Sequence, residues 1–230
     1  MFHRSGKEGL MKMRMKGGAP VAVAVFLVLI VALAISVYLK IQRVNVDLTQ
    51  VVDQSVLRIV PQPIPVPDAK LTRMDGKPFG KKALEGKWTF LYFGYTLCPD
   101  VCPTELTALA EVADLLRREG VQSRWQQVFV SVDPERDTPE QLGRFVSYFD
   151  PQIIAATGEQ TELRIMAQPI GVGWEKAALP TANDAPSNSY LVNHTTSILL
   201  VSPDATVVGV YPTPHNPEAM VKAYLAVTRE

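Results

Sequence analysis

The first feature of the chain is a run with no polar face. From Val21 to Leu39, "VAVAVFLVLIVALAISVYL", nineteen residues pass without a charge. As a helix rising 1.5 Å per residue this stretch reaches roughly 29 Å, the hydrocarbon thickness of a bilayer. A helix buried in a soluble core would show a polar stripe, and this one offers only Ser36 and Tyr38. A cleaved signal peptide would have a shorter apolar stretch ending in small residues, whereas here the run continues past "ALAIS". The pattern predicts an uncleaved transmembrane anchor over 21–39. Residues 40–67 read as a stalk and linker, with four prolines between Pro61 and Pro67 favouring an extended chain.

Beyond residue 68 the periodicity becomes that of a folded domain. "LTRMDGKPFG" places Asp75-Gly76 between short flanks, a tight hairpin turn. "WTFLYFGY" (88–95) is apolar on both alternations, as in a strand covered on two faces. In "TELTALAEVADLLRREG", Leu106, Leu109, Ala110, Ala113 and Leu116 form one helical stripe, closed by Gly120. "VFVSVD" (128–133) is a second buried strand. Thr138 and Pro139 open a helix whose stripe is Leu142, Phe145 and Phe149. A short strand "IIAATG", a helix "EQTELRIMAQPIG", a polar loop "NDAPSNSY", a hairpin around Pro203-Asp204 and a closing helix "NPEAMVKAYLAVT" follow. This order predicts an α/β fold of the thioredoxin-like plan, a central sheet flanked by helices on both faces, over residues 68–230.

Charge sharpens the topology. The chain is formally neutral, but residues 1–40 hold six Lys/Arg and the single acid Glu8, leaving the remainder at −5. A basic segment, 1–20, before the apolar run keeps the N-terminus in the cytoplasm and exports the domain. The expected location is a bacterial cytoplasmic membrane, single-pass, with the C-terminal domain in the periplasm. An acidic body excludes nucleic acid as a partner.

Export changes how the cysteines read. The chain has two, Cys98 and Cys102 in "FGYTLCPDVCPTEL", three residues apart rather than the two of a thioredoxin pair. They fall where the first core strand ends and its helix begins, where peptide dipoles favour thiolate. A structural disulfide closing so small a loop would stabilise little. A redox pair and a soft-metal site remain, and two thiolates suit Cu(I). Structural zinc would call for more ligands than the two histidines beyond the anchor, His194 and His215, readily provide. His194 precedes an apolar strand expected to be central and to face the cysteine-bearing helix end. There thioredoxin-like oxidoreductases carry a cis-proline, and this chain has a histidine instead. His215, in "YPTPHNPEAM", reads as a surface turn residue. Phe93 and Tyr95 read as walls of the site.

On these motifs the chain resembles the Sco/SenC family. "GYTLCPDVCPTEL" is similar to that family's copper motif, "SVDPERDTPEQL" to its second signature, and "NH" before "TTSILLVSPD" to its third. The resemblance spans roughly residues 60–227. It implies a membrane-tethered copper chaperone with Cys98, Cys102 and His194 as ligands of Cu(I) or Cu(II). It also implies a role in assembling the CuA centre of cytochrome c oxidase, with the CuA-bearing subunit, other copper chaperones, thiol reductants and membrane lipid as partners. The family usually carries Asp before the histidine, and here Asn193 stands in its place, which removes a negative charge beside the site or a partner's surface. Asp133, on the sheet edge that carries the cysteines, is a further candidate for orienting or charge-balancing the site together with Asn193. Asp137 reads as a turn residue before the helix cap.

The mechanism this suggests is copper relay by ligand exchange, with the polar loop 180–189 letting His194 swing aside. The alternative is a thiol–disulfide oxidoreductase that uses Cys98 and Cys102 to reduce cysteines of the oxidase copper site or of other exported proteins. A thiol peroxidase on the same fold finds no signature around Cys98.

Overall fold

A computed structural model describes residues 19–44, 52–121, 124–178 and 190–228. The chain divides into two compact units, 1–46 and 47–230. In the first, an α-helix, α1, runs Ala19–Val44. Its side chains are described over 23–36, where all are exposed, and among the described residues no helix is long and apolar enough to cross a membrane.

The second unit is built on an eight-stranded mixed sheet. Its strands are β1 (Arg58–Pro65), β2 (Leu71–Arg73), β3 (Pro78–Phe79), β4 (Trp88–Gly94), β5 (Trp125–Ser131), β6 (Ile154–Thr157), β9 (Ile198–Val201) and β10 (Thr206–Tyr211), in the order β1-β10-β9-β4-β5-β6-β2-β3. A separate two-stranded hairpin joins β7 (Trp174–Ala178) to β8 (Tyr190–His194). The helices are α2 (Val101–Arg118), α3 (Pro139–Ser147), α4 (Gln160–Ala167) and α5 (Pro217–Thr228).

The parallel pairing of β4 with β5 is the centre of the fold, in register from Trp88↔Trp125 to Gly94↔Ser131. Strand β9 flanks β4 antiparallel. Residues Thr89–Tyr95 are all buried, which is why the sequence there is apolar on both alternations. Phe90 and Tyr92 of β4 share a face with Phe129 of β5. On that face Phe90 meets Tyr224 of α5, and Phe129 meets both Tyr92 and Phe145 of α3. Helix α4 starts beside β2, where Glu162 accepts the Lys70 amide at 2.8 Å, and the 3-10 turn Gln168–Ile170 at its end contacts β1. Leu163, Met166 and Ile170 are buried along this path. Helix α3 is capped by Thr138, whose hydroxyl accepts from the Gln141 amide while the Gln141 side chain accepts from the Thr138 amide, a reciprocal box that fixes the chain's entry.

Two expectations need correction. The proline-rich stretch is extended, but it is not a free linker: residues 58–65 form β1, paired antiparallel with β10 through an irregular register between Ile59 and Ile64. Proline is tolerated because the strand lies at the sheet edge. The polar loop expected over 180–189 lies outside the described residues; on either side of it, β7 and β8 pair as a hairpin. His215 is not a surface residue. Its ring is buried, with Nδ1 against the buried Glu105 carboxylate and Nε2 donating to the Tyr211 carbonyl at 2.9 Å. A carbonyl only accepts, so Nε2 carries a proton and the imidazole–carboxylate bond faces α2.

This pair joins α2 to the chain entering α5, and its loss should be felt as stability. Glu105→Ala strands a buried imidazole and is expected to cost about 3–5 kcal/mol in guanidinium unfolding. A Glu105→Leu/His215→Leu double variant should recover most of that. Equal losses in the single and double variants would mean that the pair contributes only packing.

Candidate metal centre

Strand β4 delivers the chain to its end at Gly94, and the loop that follows turns into α2. Gly94 is a spatial requirement. A Cβ there would lie 2.7 Å from the Cys102 sulfur and 2.9 Å from the Phe129 ring, closer than packed atoms approach. The missing side chain is the room that the sulfur occupies. Cys102 sits in the first turn of α2, one position past Val101, rather than at the cap itself. Its amide, which has no partner within the helix, donates to the Cys98 sulfur at 3.4 Å. The first sulfur thus serves as a cap for the helix that carries the second.

Both thiols are free and buried. Their acidities diverge. The Cys98 thiol is held far below the usual thiol range, first by the hydrogen bond from the Cys102 thiol, and further by His194 and by the Asp100 and Cys102 amides, against the opposing effect of burial. The Cys102 thiol is pushed up, because it supplies the proton in that bond and is itself desolvated. The pair is therefore one thiolate and one thiol sharing a proton. Tyr92, fully buried on β4, donates its hydroxyl to the Cys102 sulfur at 3.7 Å. Burial and the adjacent sulfur raise its own pKa, so it stays a neutral donor.

His194 ends β8 and brings the third donor. Its Nε2 lies 3.4 Å from the Cys102 sulfur, and its Nδ1 lies 2.9 Å from the Thr195 carbonyl. The carbonyl requires a proton on Nδ1, so Nε2 is the ring atom that faces the sulfurs. The donor atoms of Cys98, Cys102 and His194 all lie within 4.8 Å of one another, and no other group of three His, Cys, Asp or Glu side chains among the described residues is gathered in this way. The ring stands edge-on to Tyr95 at 5.8 Å and to Tyr92 at 6.2 Å. Tyr95 also accepts the Val192 amide at 3.3 Å, so it holds β8 as well as walling the site. Phe93 is buried in the core on the opposite alternation to Tyr92. Two thiols and an imidazole in this cluster are a soft, low-coordinate donor set, suited to Cu(I) and poor for a hard cation.

The acidic and amide candidates do not touch the donor atoms directly. Asp133 touches neither sulfur nor imidazole. Its buried carboxylate takes Arg136 Nε at 2.5 Å and the Tyr190 hydroxyl at 2.6 Å. Asn193 is exposed and reaches Glu175 at 3.5 Å, away from the donor atoms. Asp137 is no mere turn residue: it is buried and accepts from the Ser131 hydroxyl at 2.5 Å, the Thr96 amide at 2.9 Å and the Thr96 hydroxyl at 2.5 Å. Burial pushes its carboxyl up against these bonds. Sequence reasoning did not assign roles to Tyr92, Gly94 or Tyr190. A glycine ending an otherwise bulky strand just before a cysteine loop was the available signal for Gly94; a tyrosine inside an apolar run carries none.

The comparisons agree with this geometry. A family model described as SCO1/SenC matches residues 66–229. The Arabidopsis thaliana protein named SCO1 homolog 1, mitochondrial, is 37% identical over 161 residues, covering 70% of this chain and 46% of that protein, so the match spans about half of the relative's length. A crystal structure of Arabidopsis thaliana ScoI with copper bound aligns with TM-score 0.62 at 34% identity, covering 74% of this chain and 98% of that one. The copper-bound structure of Bradyrhizobium japonicum ScoI aligns with TM-score 0.60 at 34% identity, covering 70% and 98%.

The unequal thiols can be read out directly. At about pH 6, well below the ordinary thiol range, iodoacetamide should label Cys98 and spare Cys102, as mapped by mass spectrometry. In Cys102→Ala the Cys98 profile should move toward higher pH, because the side-chain donor to the Cys98 thiolate is gone. Parallel labelling of both cysteines would refute the shared proton.

Proposed function

The chain belongs to the SCO1/SenC family, and from that premise we propose that it is a copper chaperone that carries the ion on Cys98, Cys102 and His194. One observation carries the reading: three soft or borderline donors from two distant segments, their atoms within 4.8 Å, with the imidazole Nε2 facing the sulfurs. Copper is the cargo. The site fits it because one thiol is already ionised and the second is linked to it by the proton that metal binding displaces.

Release follows from the same construction. His194 sits at the end of a two-stranded hairpin, outside the main sheet, and is half-buried. Its withdrawal would open the cluster to a partner's thiolates, which can replace the ligands one at a time without exposing free ion. Family membership supports an acceptor in the copper site of cytochrome c oxidase, with assembly of the CuA centre as the outcome. The uncharged run Val21–Leu39 within α1 is proposed as a single-pass anchor, with the basic N-terminus in the cytoplasm and the domain in the periplasm. Tethering would raise the local concentration of the domain at the membrane face of its acceptor. Asn193, exposed beside His194 where the family usually has Asp, would weaken electrostatic attraction toward a basic acceptor surface rather than alter ligation.

A second reading rests on the thiol pair itself. A thiolate hydrogen-bonded to a neighbouring thiol can attack a disulfide, after which the second sulfur closes on the first. Two electrons and the thiol protons pass to the target. Reduction of the acceptor's cysteines and delivery of copper would then be successive uses of one site.

Copper titration under reducing conditions separates the two. The relay predicts one Cu(I) per chain, loss of binding in Cys98→Ser or Cys102→Ser, and weakening by about tenfold to a hundredfold in His194→Ala. Full disulfide exchange with no copper binding would leave only the reductase. For the anchor, membrane fractions should contain the chain with residues 21–39 retained.

A further inference from the structure

The motif "SVDPERDTP" lies near the cluster, yet none of its side chains reaches a sulfur or the imidazole. Its bonds run instead to the two segments that carry them. Asp137 accepts from the Thr96 amide and hydroxyl, two residues before Cys98, and is itself held by Ser131 at the end of β5. Asp133, whose amide is fixed by the Ser131 hydroxyl at 3.1 Å, accepts from the Tyr190 hydroxyl and from Arg136. The Arg136 guanidinium lies 3.6 Å over the Tyr190 ring and donates to the Tyr190 carbonyl at 2.9 Å. Tyr190 begins β8 and His194 ends it, four residues or about 13 Å further along the strand. Tyr190 therefore cannot touch an ion held at the cluster. Glu135 adds a third hold on the hairpin, through Lys176 of β7 at 2.6 Å.

We propose that Ser131–Asp137 is a two-armed brace that positions both halves of the metal centre, Asp137 holding the cysteine loop and Asp133 with Arg136 holding the histidine hairpin. These are positioning residues. Their purpose rests on the copper reading above, although their geometry does not. A site built from two segments nearly a hundred residues apart has no covalent reason to close. The hairpin lies outside the main sheet, so its placement depends on side-chain contacts. A short loop rooted on the central strand β5 is the shared reference point. Arg136 suits the task because a planar guanidinium can stack on Tyr190 while bonding in its own plane to Asp133 and to the Tyr190 carbonyl.

The test uses the full-length, metal-free chain first. Tyr190→Phe deletes one hydroxyl and keeps the ring beneath Arg136. Hydrogen exchange should then quicken about fivefold to tenfold at Val192 and His194, with the β4 and β5 amides unmoved. Thr96→Val removes the hydroxyl bond of the other arm, keeping its amide bond, and should quicken exchange over residues 96–98 while leaving the hairpin unmoved. Copper affinity is the second readout. Arg136→Gln should weaken binding about tenfold with His194 present and leave it unchanged in a His194→Ala background, because the arm acts through that residue. Should Arg136→Gln fail to fold, Tyr190→Phe takes its place in the same cycle. Unchanged exchange in Tyr190→Phe overturns the brace, as does equal weakening with and without His194. If His194→Ala alone leaves copper affinity intact, the copper reading falls, and metal-free exchange still decides whether the brace exists.

Discussion

The register between β4 and β5 is the constraint on which the rest of the domain depends. With Gly94 opposite Ser131, two parallel strands end together, and the loops that leave them start side by side at one edge of the sheet. One loop carries the sulfurs and the other carries Asp133, Arg136 and Asp137. A slip of one residue would turn Tyr92 away from the sulfur and place a side chain where Cys102 needs space. The aromatic contacts of Phe90, Tyr92 and Phe129 with α3 and α5 fix that register from below.

At the centre itself, metal chemistry and thiol chemistry are two states of one set of atoms. The proton shared between Cys98 and Cys102 is lost when an ion takes both sulfurs, and both are oxidised if a disulfide forms. His194 is poised for the first of these, since its protonated Nδ1 is spent on the Thr195 carbonyl. The imidazole is also the donor with the least structure behind it. The cysteines belong to the core, whereas the histidine belongs to a hairpin held by Tyr95, Tyr190 and Lys176. On the proposed relay, this asymmetry of anchorage makes His194 the first ligand to leave.

Much of this was legible in the sequence, for stated reasons. The central strands announce themselves because both of their faces are buried, and the cysteines because export and spacing leave few chemistries open. His194 was placed by its position before an apolar strand. The hairpin that holds it was not legible. β7, "WEKAA", has neither strict alternation nor an apolar run, since one side of the hairpin faces solvent. The proline-rich stretch misled because the residues that favour an unpaired extended chain are also admitted by an edge strand. His215 misled because local polarity suggested a turn, whereas its partner Glu105 is 110 residues away on another helix. Asp133 was placed at the right edge of the sheet, but its partners Tyr190 and Arg136 were not legible, because no sequence pattern says that Tyr190 will stand above it.

The two outer margins of the sheet share a feature. β1 carries Pro61, Pro63 and Pro65, with an irregularity in its pairing, and β3 is two residues long and begins with Pro78. Neither margin offers an unbroken row of amide donors to an incoming strand. Two copies of the domain are thereby hindered from adding strand to strand through their backbones. Recognition is left to side chains, and the ion transfer proposed at the sulfur-bearing end of the sheet would face no competition from backbone pairing.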